Sequence, residues 1–164
     1  MRRILKFLHE VGSAGLIGAL VAQAILSFYA ESLDVIGHAT VRQAMLMISG
    51  WLLMPSLLLV VMSGLIAIAV HDPFKNAGWV WLKAISTVLM LEGTLLAVHG
   101  PAQAGAEVAD AIARGDTSEA ALLGPIMVHE RGGIATIMVV SLANIVVAIW
   151  RPRFRRRGAA TQPA

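Results

Sequence analysis

Residues 78–100, GWVWLKAISTVLMLEGTLLAVHG, decide how the rest of the chain is read. A helix that crosses a bilayer needs about 20 mainly apolar residues, and this stretch is long enough, yet it carries Lys83, Glu92 and His99. Each charge near the centre of a span costs about 2.5–3.5 kcal/mol on insertion scales, so each needs a reason. Lys83 lies about five residues past Gly78, about 7–8 Å along a helix, and its amine can reach the headgroups by snorkelling. Glu92 sits too near mid-span for that. It is expected to face the bundle interior, either paired there or forming part of a site.

Composition agrees with a membrane protein. Over 164 residues the chain is 57% hydrophobic, with a mean hydropathy of +0.75, too apolar for an ordinary soluble domain and short enough for a single one. It has no cysteine, which removes disulfides, thiolate ligands, iron–sulfur clusters and thiol nucleophiles. The net charge of +3 does not point to nucleic acid, because the basic residues stand at the ends of apolar runs and form no soluble basic face.

Working outward from residues 78–100, three further spans are expected. The first runs from about Ile4 to Tyr29 behind the basic Met1-Arg2-Arg3. Its Ala22-Gln23-Ala24 triplet mimics a signal-peptide cleavage site, but the apolar run continues past it and is read as a span. Gly12, Gly15 and Gly18 give this helix small faces for close packing. Glu31 to Gln43 is expected to be a short polar connection and Ala44 to Val70 the second span, kinked by Pro55. His71 to Asn76 is a tight turn, which makes spans two and three antiparallel. After His99-Gly100-Pro101, the alanine-rich, acidic residues 102–114 are expected to form a short amphipathic helix at the surface in the third loop, ended at Gly115. The fourth span starts between Pro125 and Gly132 and ends at Trp150. Residues 1–150 thus form an all-α, polytopic four-helix bundle, and residues 151–164 a basic, disordered tail.

Counting lysines and arginines by side orients the bundle. Ten fall on the side of the termini and three, Arg42, Arg114 and Arg131, on the other, so both termini are expected in the cytoplasm. Topology then converts position into depth. His9 and Lys83 each lie about five residues inside the terminal side of their helices, and in one cavity the pair could ligate or hydrogen-bond a porphyrin, or move protons in a redox reaction. A satisfied interface histidine beside a snorkelling lysine is the alternative. His99, His129 with Glu130, and His38 collect toward the outer side as candidates for a metal or haem, although no pair has tight ligand spacing on one helix. Glu92 and His99 share a helix face and could relay protons. The methionines are too scattered for a copper ladder.

Several of these residues together resemble a known family: Leu5-Lys6-Phe7-Leu8-His9, Pro55 with Gly64, Trp81-Leu82-Lys83 with His99 closing the span, and His129-Glu130 before an apolar helix ending in Arg151-Pro152. The chain resembles uncharacterised four-helix integral membrane proteins related to the HemJ-type protoporphyrinogen oxidases and, more distantly, to CopD-type copper-resistance proteins. The resemblance implies a bacterial inner-membrane protein that binds haem b. His9 would be the iron ligand, His9 and Lys83 the catalytic pair, and His99 a further cofactor-binding candidate. The competing expectation is an accessory subunit in a homo-oligomer or beside a partner membrane subunit, whose polar groups only hold helices together.

Overall fold

The computed structural model describes residues 2–70 and 78–150. The turn expected at His71 to Asn76 and the basic tail lie outside the described residues. Helix α1 spans Arg2–Tyr29 and ends in a 3-10 turn, Ala30–Ser32. Helix α2, Val35–Ile48, passes through a π-helical turn, Ser49–Leu53, into α3, Met54–Val70. Helix α4, Gly78–Thr94, passes through a second π turn, Leu95–His99, into α5, Gly100–Ala113, and α6 runs from Ala120 to Trp150. Joined in this way, the elements make four rods long and apolar enough to cross a membrane: Arg3–Ser32, Val35–Val70, Val80–Ala113 and Ala120–Trp150.

Two of these rods are longer than the sequence reading allows, and neither is ended by its proline. A proline lacks the N–H for its own intrahelical bond and its ring crowds the carbonyl four residues back, so Pro55 and Pro101 should kink or end their helices. For Pro55 the crowded carbonyl belongs to Trp51, and for Pro101 to Ala97; both lie inside a π turn. The wider turn accommodates the ring while the preceding N–H bonds five residues back, Met54 to Ser49 and Gly100 to Leu95. The helices therefore continue. The second span begins at Val35, not Ala44, with the Asp34 carboxylate capping it at Gly37 N–H, 3.0 Å. The polar connection expected over 31–43 is mostly the first turns of a helix that carries His38 and Arg42. Likewise the helix expected over 102–114 forms at Gly100–Ala113 with one buried and one exposed face, but it continues the third rod instead of standing apart from it. Its alanine face is buried: Ala102, Gly105, Ala106 and Ala109 pack against α2 and α6. Gly115, at φ +92°, ends this rod as expected.

Around the bundle α1 packs on α3, α3 on α4, α4 on α6 and α6 on α1, so α1 and α4 face each other diagonally. The shared core contains Leu16, Leu20, Leu53, Leu57, Met90, Val98, Ile134 and Ile137. Small residues set the spacing. Gly12 and Gly15 let α1 approach Ser56 on α3, whereas Gly18 meets nothing. A Cβ on Gly133 would overlap the Ala97 carbonyl, the oxygen that Pro101 leaves without its usual N–H. The π turns thus divide the molecule into an inner half, at the end where α1 begins and α6 finishes, and an outer half of α2, α5 and the start of α6.

Candidate functional site

In the inner half the diagonal helices α1 and α4 leave a cavity of about 440 Å³, lined among others by Leu5, His9, Val60, Gly64, Lys83 and Val88. His9 and Lys83 therefore reach one cavity from opposite corners of the bundle. Most of the wall is aliphatic, contributed by the last turns of α3 and the first of α4. A smaller chamber of about 40 Å³ adjoins it, sharing His9, Val60, Lys83 and Thr87 and adding Ser13, Ser141 and Asn144. Its volume matches roughly one water molecule.

The hydrogen bonds around His9 fix how it can act. Its Nδ1 lies 3.2 Å from the Val60 carbonyl and 3.1 Å from Ser63 Oγ. Ser63 donates its own proton to the Leu59 carbonyl at 2.6 Å, so both atoms facing Nδ1 are acceptors. The proton belongs on Nδ1, an assignment made from the network, and Nε2 carries a lone pair. A histidine held through one nitrogen with the other free as a base or ligand is the arrangement metal-binding imidazoles use. Lys83 is half-buried, and no hydrogen bond or ion pair to its amine occurs among the described residues.

The chamber has a chemical bias. Ser13 donates to the His9 carbonyl at 2.8 Å, Thr87 to the Lys83 carbonyl at 2.7 Å and Ser141 to the Ile137 carbonyl at 2.7 Å. Each hydroxyl has given its only proton to its own helix four residues back, so what it can still offer is an acceptor oxygen. The Asn144 amide is held by Ser86 at 2.8 Å and by Met90 Sδ at 3.5 Å. The space behind His9 and Lys83 favours donors: an ammonium or a water.

The outer candidates do not gather. His99 is not in the cavity; its Nδ1 hydrogen-bonds Ser49 Oγ at 3.0 Å, joining the two π turns. His129 is exposed and His38 sits half-buried on α2 with Nε2 lacking a partner. Among the described residues no three His, Asp or Glu side chains cluster as a metal set. Glu92 also departs from expectation. It faces outward, so the interior role and the relay to His99 have no geometric basis. The Leu-rich face of α4 carries it away from the core, because the opposite face is filled by Val80, Thr87, Met90 and Thr94.

Sequence reasoning missed the most deeply buried polar contact. Arg42 Nη1 donates to Glu130 Oε2 at 2.6 Å and Nη2 to Glu130 Oε1 at 3.3 Å, and both side chains have 0% exposure. Nη2 also donates to the Pro101 carbonyl at 3.3 Å, and the guanidinium lies on Gly105, where a Cβ would overlap it. The available signal was that Arg42 is the lone Lys, Arg, Asp or Glu between Val35 and Val70, and such a residue inside a long apolar run asks for a buried counter-ion. Next to the pair, Arg131 donates to the Ser27 carbonyl at 2.6 Å, pairs with Glu31 at 2.8 Å and covers the Phe28 ring at 4.4 Å. Comparison of the chain with protein-family models, with characterised proteins and with solved structures returned no match.

Proposed function

We propose that the four rods cross a bacterial inner membrane with both termini in the cytoplasm, and that the inner cavity binds haem b or a related porphyrin in a redox role. Exposed aromatic residues support the placement. Trp51, 84% exposed, stands at one level, and Trp81 and Trp150 at the other. From Trp51 to Val70 is about 20 residues, or about 30 Å of helix, the thickness of a hydrocarbon core. The ten-to-three distribution of Lys and Arg supports the orientation.

One observation carries the ligand reading: an imidazole fixed through Nδ1 and an amine without a partner share a single apolar cavity. The residues fit the group. The cavity volume falls within the range of about 300–1,000 Å³ usual for small-molecule sites. The aliphatic wall suits a macrocycle, His9 Nε2 suits the iron, and the Lys83 amine suits a propionate. A bound haem supplies one-electron redox chemistry. The protein's own residues would hold it at Nε2, line it with the aliphatic side chains of α3 and α4, and offer the Lys83 amine for proton transfer beside the chamber. His99 is outside this site. The test is an absorption spectrum of the purified protein, where a stoichiometric Soret band that His9→Ala abolishes is the expected result. A protein that stays colourless after haem is supplied removes the reading and leaves the accessory-subunit alternative.

A further inference from the structure

On α4 the residues Leu82, Ile85, Leu89, Glu92 and Leu96 are all exposed and follow one another at spacings of three and four. Leu89 is 62% and Leu96 75% exposed. That alternation draws one straight seam along the helix, the spacing used when two helices pack along their length. In a bilayer the leucines and isoleucine alone need no partner, because lipid is as apolar as they are. Glu92 is different. It lies about seven residues, about 10 Å of helix, below the level of His99 and still farther from Trp81. A glutamate is too short to reach either surface from there. Among the described residues nothing hydrogen-bonds or pairs with it.

We propose that this seam docks a transmembrane helix of a different protein, one that presents a Lys, Arg or His side chain to Glu92. The chemistry of the occupant follows from the charge, since a carboxyl group at hydrocarbon depth is stabilised by a donor that brings the opposite charge. A second copy does not supply it. Among the described residues the exposed basic side chains are Arg3, Lys6 and Arg114, all near the ends of rods, and His129, about eight residues or about 12 Å of helix beyond the level at which Ile137 meets Gly93, while Lys83 faces the inner cavity. A single polar position in an apolar seam also fixes which residues meet across it, so Glu92 would set the register of the pair. The inference does not depend on what the inner cavity binds.

The test uses the full chain in its native membrane with a photo-crosslinking residue at Leu89, and at Val139, 65% exposed on α6, as the control. The expected result is a discrete protein adduct from Leu89 and none from Val139. The crosslinked partner peptide should contain a Lys, Arg or His within one turn of the attachment point. Glu92→Leu should lower the adduct about tenfold, the equivalent of one charge-assisted hydrogen bond. Unchanged thermal unfolding of that variant shows that the fold survives. Adducts with lipid only, an adduct with a second copy, a partner segment without a basic residue, or an adduct indifferent to Glu92→Leu would each overturn the proposal.

Discussion

Arg42 in the outer half and Lys83 in the inner half are both cations on helices nearly free of charge, and the structure treats them differently. Arg42 has no exposure, a two-pronged carboxylate partner, a carbonyl acceptor and a glycine against its face. Lys83 is half-buried beside a cavity, with a histidine across from it and no acid paired with it among the described residues, the cavity's Glu10 being paired with Lys6. The first arrangement closes α2, α5 and α6 around a paired guanidinium whose Nε alone lacks a hydrogen bond, and the second leaves a charge without a counter-ion among the described residues. One region pairs its cation with a carboxylate between helices; the other leaves its cation beside a cavity.

The largest effect that follows is on the outer pair. Arg42→Met or Glu130→Leu alone leaves an uncompensated charge in a dry site and should destabilise the protein by about 3–5 kcal/mol, measured by reversible unfolding in detergent or bicelles. The double variant should recover most of that loss, because two apolar side chains of similar volume need no pairing. Gly105→Ala drives a methyl group into the guanidinium and should cost about 1–3 kcal/mol by overpacking. A double variant as unstable as either single one would mean that the pair contributes more than mutual neutralisation.

Lys83→Met, the same kind of change in the inner half, sharpens the comparison because its effect on stability should be of opposite sign. Removing a half-buried amine without a partner should leave stability unchanged or raise it by up to about 1 kcal/mol, since the ammonium no longer has to be desolvated. The effect should appear instead in ligand binding. His9→Ala should abolish the cofactor spectrum, while Lys83→Met should weaken binding or turnover and leave a coloured protein. Should Lys83→Met destabilise as strongly as Arg42→Met, the division between a holding end and a binding end fails.

The general plan was legible in the sequence because apolar length is a strong signal. Four rods, the packing role of Gly12 and Gly15, and the stop at Gly115 follow from hydropathy, small-residue spacing and helix termination. The depths assigned to His9 and Lys83 came from the same counting, and these residues do line one cavity. What failed was read from local punctuation. His99-Gly100-Pro101 looks like an ending, but a π turn carries the helix through it, and nothing in the residues announces a π turn before its proline is placed in three dimensions. Glu31 to Gln43 looks polar, yet its one Lys or Arg, Arg42, is neutralised by Glu130 from 88 residues away. The outward face of Glu92 could not be read from sequence at all, because which side of α4 meets α3 and α6 depends on the packing of all four rods.

A smaller effect tests the junction between the halves. Ser49→Ala removes the hydrogen bond to His99 that joins the π turns and should cost about 1 kcal/mol. Because Ser49 is fully buried and the bond joins two neutral groups, its loss leaves one His99 nitrogen unmatched and should not depend on salt. No loss would indicate that the prolines alone set the π turns.

The smallest expected effect lies outside the rods, where a carboxylate meets water. Asp116, between α5 and α6, accepts a hydrogen bond from Ser118 N–H at 3.0 Å. That backbone bond, followed by the Ser118 hydroxyl and the nearby Arg114 charge, holds the carboxyl below its ordinary value of 3.8. The sign follows from linkage. A carboxyl whose folded value is lowered contributes stability that is fully present above its unfolded value, near pH 4, and is lost as the pH falls through the folded value. Asp116 is fully exposed, so the contribution is screened by solvent and salt. An NMR titration should therefore give Asp116 a midpoint below that of an unstructured peptide containing Asp116 to Ser118, with little change in global stability over the same range. Asp116→Asn retains the acceptor oxygen for Ser118 N–H, so it should keep the turn and abolish the titration, whereas Asp116→Ala should loosen the start of α6. A midpoint at or above the peptide value would show that the Ser118 contact does not persist in solution, and the contrast between a paired buried carboxylate and a merely capped exposed one would rest on Glu130 alone.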